Sequence, residues 1–272
     1  MLSGRAVVVF VAACVGATAC SSSTSLASFW SERRLAHAHP LIEAHATEGR
    51  ETEGQSHPAR GRHPRVGGLF FENGGGAHFC TASVVDSPHG NLILTAAHCV
   101  YGDGAFQHDI AFVPEYHDGD APHGVWQPEH VVVDARWTSS SDPDDDVAFI
   151  VLRPLDGRNV ADVVGANRLR FDPPFGRPVR ITGYPSNAEA PITCVSHATE
   201  HSPTQMRVAC TGFEVGTSGS PWVDRFNSRT LQATIIGVIG GYQEGGATDD
   251  VSYSPYFGAR IEALYERAVA ES

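Results

Sequence analysis

The sequence predicts an all-β protein of the barrel or sandwich class. Three observations carry the prediction. From Val66 onward the chain is a succession of short apolar or β-branched runs. Clusters of turn-forming residues separate them, among them Asp86-Ser87-Pro88, Asp118-Gly119-Asp120 and Asp172-Pro173-Pro174. No regular alternation of strand and helix patterns points to a parallel α/β sheet.

In chain order, strands are expected at 67–71, 79–85, 92–95, 130–133 and 147–152. A second set follows at 179–184, 192–197, 206–211, 221–223 and 234–239. The stretch 156–178 is poorer in strand signals and divides the pattern into halves at about 66–155 and 179–258. After Gly258, Ile261, Leu264, Tyr265 and Ala268 recur at helical spacing, so the chain should end in a helix.

The first 65 residues have a different character. Arg5, an apolar stretch over 6–15 and Ala17-Thr18-Ala19 form the pattern of a signal peptide over 1–19. Cys20 and the Ser/Thr run after it resemble a bacterial lipoprotein signal, which would make Cys20 a lipid anchor in the membrane; ordinary secretion is the other reading. Either way the mature chain is extracytoplasmic, where disulfides persist. Residues 20–65 lack sustained periodicity and read as a disordered tether or pro-segment. His37, His39, His45, His57 and His63 match no tetrahedral metal spacing and read as solvated.

Composition narrows the function classes. With 42% apolar and 18% charged residues, the 272-residue chain is globular rather than disordered. Its net charge is -12, and all 19 basic residues are Arg. Residues 1–65 carry 7 Arg against 5 acids, and residues 66–272 carry 12 Arg against 26 acids. So acidic a domain repels nucleic acid. No apolar run reaches the ~18–20 residues needed to span a bilayer as a helix.

Three further motifs carry chemistry. Leu94-Thr95-Ala96-Ala97-His98-Cys99 places a histidine just after a short apolar run. Neutral imidazole accepts a proton near pH 7, as a general base must. Asp142-Pro143-Asp144-Asp145-Asp146 leads into Val147-Ala148-Phe149-Ile150. Asp146 opens the strand, while Asp142, Asp144 and Asp145 read as a solvated loop. Gly216-Thr217-Ser218-Gly219-Ser220-Pro221-Trp222 holds a serine in a glycine-rich turn, and a serine hydroxyl needs an adjacent base to act as a nucleophile.

Together with Cys80-Thr81-Ala82-Ser83, these motifs resemble the chymotrypsin/trypsin-like serine proteases over about residues 66–270. The order His98, Asp146, Ser218 is that family's order. The resemblance implies two antiparallel six-stranded β-barrels with the active site between them. It implies Ser218 as nucleophile, His98 as proton shuttle and Asp146 as the group that orients His98. It implies backbone N–H donors of Gly216 and Ser218 as an oxyanion hole. It also implies a Cys80–Cys99 bridge clamping the histidine loop. Cys194 and Cys210 flank Glu200-His201-Ser202-Pro203, which suggests a hairpin with a cross-strand disulfide; two separate thiols are the other reading.

Two departures from the animal digestive enzymes stand out. Those enzymes have Asp directly before the nucleophile, where this chain has Thr217. Arg65-Val66-Gly67-Gly68 looks like an activation site, but without the partner carboxylate Val66 should not insert as an activating ammonium. Thr217 followed by Ser-Gly-Ser-Pro is more similar to bacterial branches such as the glutamyl endopeptidase-like group.

The substrate pocket is expected around Gly212 and Phe213 on one wall and Ile239 and Gly240 on the other, with Glu214 facing solvent. Gly212 stands where trypsin-like members carry an Asp, and 236–241 offers no His. A small or apolar side chain before the scissile bond is therefore expected. The resemblance implies an exported, monomeric serine endopeptidase acting on protein or peptide substrates, with no metal or organic cofactor. Two other classes compete with it. One is a catalytically silent, protease-like binding protein of the cell envelope; the other is a metal-binding envelope protein using the histidine-rich leader.

Overall fold

The structure, a computed structural model, describes residues 26–40, 54–73, 77–186, 188, 190–227 and 229–272. The expected signal peptide and Cys20 lie outside the described residues. So do 21–25 and 41–53 of the expected tether.

Two antiparallel sheets curl into barrels. The first is built from β1 (Val66–Glu72), β2 (Ala77–Val85), β3 (Leu92–Thr95), β4 (His108–Pro114), β5 (Pro128–Val133) and β6 (Ala148–Leu152). Their spatial order is β4-β1-β2-β3-β6-β5. A bridge between Phe112 and Trp126 brings β4 to the start of β5 and closes the ring. The second contains β7 (Arg177–Gly183), β8 (Ile192–Ser202), β9 (Gln205–Ala209), β10 (Pro221–Phe226), β11 (Ala233–Val238) and β12 (Val251–Pro255), in the order β11-β10-β7-β8-β9-β12. The N–H of Gly240 donates to the Tyr253 carbonyl, which brings the end of β11 to β12. A short parallel strand, Arg168–Leu169, flanks β11.

Each barrel buries its own core. Leu69, Phe71, Val84, Ile93, Phe112 and Ile150 fill the first, and Val179, Ile181, Met206, Val208, Trp222 and Ile236 fill the second. A third cluster joins Leu92, Leu94 and Phe149 of the first barrel to Ile235 and Val238 of the second. The C-terminal helix (Ala259–Ala270) seals that seam with Ile261, Leu264 and Ala268, a stripe at helical spacing. Burial of this shared apolar surface fixes the cleft between the barrels.

Two of the twelve barrel strands were not legible in the sequence. In β12, Ser252 and Ser254 point inward and Tyr253 outward, the reverse of the usual pattern. Ser254 Oγ accepts from the Val238 N–H and lies where a Cβ on Gly237 would stand, so only a small side chain fits. In β4 the apolar run is only Ile110–Val113, with Asp109 in the left-handed region before it and Pro114 ending it.

The tether expectation needs correction for 26–40 and 54–65. Helical turns at Leu26–Phe29 and Glu32–Ala36 dock on the first barrel, burying Trp30 and Leu35 against Phe70, Ala111 and Tyr116. Trp30 Nε1 donates to the Asp109 carbonyl at 2.6 Å. His39–Pro40 pairs in parallel with His78 and Phe79 of β2. Further on, His57–Pro58 adds to β8, and the Gly54 carbonyl accepts from Thr211 N–H. Isolated apolar anchors in polar chain leave no periodicity to read.

Candidate active site

The β3 strand ends at Thr95, and Ala96-Ala97 carry the chain into a turn that presents His98 at the mouth of the cleft. Cys80 on β2 and Cys99 are joined by a disulfide, and His98 packs beside it. Among the described residues those three form the one group whose potential ligand atoms cluster for a metal, and both of its sulfurs are in the bridge. A second disulfide joins Cys194 to Cys210.

Asp146 follows a 3₁₀ turn, Pro143–Asp145, and is fully buried. Its carboxylate accepts three N–H groups. His98 Nδ1 donates to Oδ2 at 2.8 Å, the His98 backbone N–H to Oδ1 at 2.9 Å, and the Gly241 backbone N–H to Oδ2 at 2.7 Å. The carboxylate therefore fixes both the position of the imidazole ring and the tautomer with hydrogen on Nδ1. His98 Nε2 faces the other way, buried and without a hydrogen-bond partner. Burial opposes a charge on His98, but the Asp146 charge and hydrogen bond, with the more distant Glu244, outweigh it and hold the imidazole above its ordinary pKa.

The serine loop lies against this pair. The Ser218 carbonyl accepts from Thr81 N–H of β2, and the Gly219 N–H donates to the Ile239 carbonyl. A Cβ on Gly219 would collide with the Thr81 carbonyl and Thr95 Oγ1, so the loop packs on the residues that lead to His98. Ser218 is 7% exposed and His98 3%. Ser218 and His98 line neighbouring clefts that share Glu244, and no hydrogen bond joins Ser218 Oγ to His98 Nε2. Such contacts are commonly long before substrate arrives.

Gly216 has φ +93°, and an added Cβ would stand 2.5 Å from the Phe79 ring and 2.8 Å from the Tyr184 carbonyl. Both backbone angle and space therefore demand glycine there. Thr217 takes over the tethering of this loop. Its hydroxyl donates to the Glu214 carbonyl at 2.6 Å, and its N–H donates to the same carbonyl. Val66 starts β1, paired with Ser83, its N–H on the His63 carbonyl. The Arg65 guanidinium donates to the Thr230 carbonyl and packs on Gly165.

A cleft of about 440 Å³ opens beside Ser218. Phe213 and Ile239 line it. Gly212 and Gly240 do not. Gly212 faces Ser56, whose Oγ lies 2.6 Å from where a Cβ would be, and Gly240 faces the backbone and carboxylate of Asp146. Glu214 is not turned to solvent either; it lines the cleft and accepts from Ser186 Oγ at 3.2 Å.

The rest of the wall is the loop from Gln243 to Asp249, which the sequence did not single out. Gln243 and Glu244 both hold left-handed φ near 53°, followed by Gly245 and Gly246 at positive φ. Strain of this kind clusters at functional sites. Glu244 forms the ridge between the Ser218 cleft and a second cleft that includes His98 and Trp137.

Asp145 also differs from the expected solvated loop. It is 1% exposed and pairs with Arg136 at 3.0 Å and Arg260 at 3.1 Å. These contacts tie the C-terminal helix to the turn that carries Asp146.

The trypsin family matches residues 52–260. No match was found among curated proteins. The protease Anisep from Arthrobacter nicotinovorans is 30% identical, with a TM-score of 0.70 over 79% of this chain and 99% of that one. The thermostable serine protease AL20 from an extremophilic microorganism is 29% identical, with a TM-score of 0.69 over 77% of this chain and 99% of that one. A Glu endopeptidase shares the fold at 20% identity, with a TM-score of 0.62 over 79% of this chain and 96% of that one. The chain belongs to the trypsin family of serine proteases.

Proposed function

We propose that this protein is an exported serine endopeptidase in which Ser218, His98 and Asp146 act as nucleophile, proton shuttle and orienting carboxylate. The observation that carries the reading is the buried His98–Asp146 pair, whose Nε2 is left without a partner beside the Ser218 loop.

In the proposed reaction, Ser218 Oγ attacks the peptide carbonyl carbon and its proton passes to His98 Nε2. The N–H groups of Gly216 and Ser218 hold the resulting oxyanion. The C–N bond then breaks as His98 gives its proton to the departing amine, leaving an acyl ester on Ser218. Water, deprotonated by His98, attacks the ester; the acid leaves, and the proton returns to Ser218 Oγ. Asp146 keeps the ring in register and stabilises the imidazolium formed in both steps. The two disulfides support an extracytoplasmic location. A signal over 1–19 and a lipid on Cys20 belong to the same proposal.

The test is hydrolysis of unstructured casein by the full chain and by Ser218→Ala. The reading expects peptide release that is lost in the variant, and a pre-steady-state burst equal to the enzyme concentration with an activated ester. Full activity in Ser218→Ala would overturn the assignment. Binding of casein without hydrolysis by the unmodified chain would favour the silent binding protein.

A further inference from the structure

We propose that the docked segment 26–40 is an intramolecular inhibitor that occupies the leaving-group side of the cleft; this rests on the protease reading above. The segment precedes the residues matched by the family, 52–260, so it is an addition to the family domain.

Part of one edge of β2 is left without a neighbouring barrel strand. One side of β2 is paired with β1 along Ala77–Ser83, while β3 covers the other side only at Ser83–Val85. Residues 77–82 therefore keep a free ladder edge toward the cleft. Thr81 uses that edge to donate its N–H to the Ser218 carbonyl. Backbone groups alternate along a strand, so the N–H and C=O of Phe79, two residues earlier, face the same side, about 7 Å from that contact. The Phe79 ring abuts Gly216, one of the proposed oxyanion donors. An extended peptide leaving Ser218 finds its ladder partner there, by addition of a strand.

That edge is taken. His39 pairs with His78 and Pro40 with Phe79. The pairing is parallel, so the segment runs toward Ser218, as β2 does. The leaving-group half of a substrate runs away from the nucleophile. The segment thus fills the position with reversed chain polarity and is not offered for cleavage. A cleft of about 360 Å³ remains between 35–39 and Phe79, Tyr184 and Ser186.

The docking is built rather than incidental. Trp30 is 1% exposed and Leu35 3%. Arg34 pairs with Glu72 at the end of β1 and lies 3.8 Å over the Phe29 ring. These anchors hold the short pair at 39–40, which on its own is too small to persist.

The test compares two substrate classes on the full chain. One is a peptide anilide with nothing beyond the scissile bond except the anilide. The other has the same sequence followed by four residues. Trp30→Ala/Leu35→Ala should raise kcat/KM for the extended peptide by about tenfold or more, because the competent fraction rises, and change the anilide rate little. Arg34→Ala, which leaves Trp30 and Leu35 in place, should move the same ratio in the same direction by a smaller factor. A synthetic peptide of residues 26–40 should reverse the gain. Equal effects on both substrates, or none in either variant while the anilide is still hydrolysed, would overturn the inhibitor. Failure to hydrolyse either substrate in all forms would instead sink the protease reading.

Discussion

Asp146→Asn puts the proposed chemistry under the sharpest strain. Both carboxylate oxygens face donors: the His98 backbone N–H on one side, and His98 Nδ1 and the Gly241 N–H on the other. An asparagine offers one oxygen and one NH₂. With its oxygen toward Nδ1, the NH₂ opposes the His98 backbone N–H. Turned round, it opposes the Gly241 N–H and donates to Nδ1, which moves the ring hydrogen to Nε2 and disables the base. Either way one buried N–H loses its acceptor, at about 1–3 kcal/mol of stability. The catalytic loss is separate. The charge that stabilises the imidazolium is gone; at an effective dielectric of ~20, charges about 4 Å apart interact by about 4 kcal/mol. The expected fall in kcat is therefore about a thousandfold. The assay is single-turnover hydrolysis of a peptide anilide across pH 5–9, with thermal unfolding to verify the fold. The midpoint of the acidic limb should also fall, because Asp146 is what outweighs burial at His98. A loss under tenfold, or an unmoved acidic limb in a folded variant, would refute the reasoning.

Three further outcomes follow from the same geometry. In the unmodified chain, kcat/KM should rise with pH through a midpoint above 6.5, since neutral His98 is the active form and its folded-state pKa is raised; the stability gained from protonated His98 is present below 6.5 and lost as pH rises through that midpoint, and a pH–rate profile beside a pH–melting profile checks both. Gly216→Ala should lower kcat by about 10²–10³ with little change in KM, because a Cβ there meets the Phe79 ring and the Tyr184 carbonyl and turns one oxyanion donor aside. Replacing Cys80 and Cys99 together by Ala opens a bridge spanning 19 residues and should cost about 3 kcal/mol, a drop of about 6–12 °C in Tm by calorimetry.

Much of this architecture was readable from the chain, for identifiable reasons. Strands such as 92–95 and 148–152 are apolar on both faces because each barrel wall is buried from both sides, so they appear as unbroken runs. The C-terminal helix was visible because its stripe covers the seam between barrels. His98, Asp146 and Ser218 stood out because each sits in a local string that resembles a motif of the protease family. What stayed hidden depends on contacts distant in sequence. The inward Ser254 of β12 answers to Gly237, which lies on β11. Asp145 looked solvated until Arg136 and Arg260 were brought to it from two other elements. The wall from Gln243 to Asp249 is set by backbone angles that Gln and Glu do not advertise. Trp30 and Leu35 are single anchors whose partners lie on β1 and β4.

Activation of the serine at position 218 is read out by covalent labelling. The full chain and Ser218→Ala would be treated with a fluorophosphonate and the adduct mapped by mass spectrometry. One adduct is expected, on Ser218, that forms in the unmodified chain and is absent from the variant. The probe has no peptide on its leaving-group side, so the docked segment should not prevent the reaction. An unlabelled Ser218 in folded protein, or equal labelling of the Ser218→Ala variant, would contradict the account.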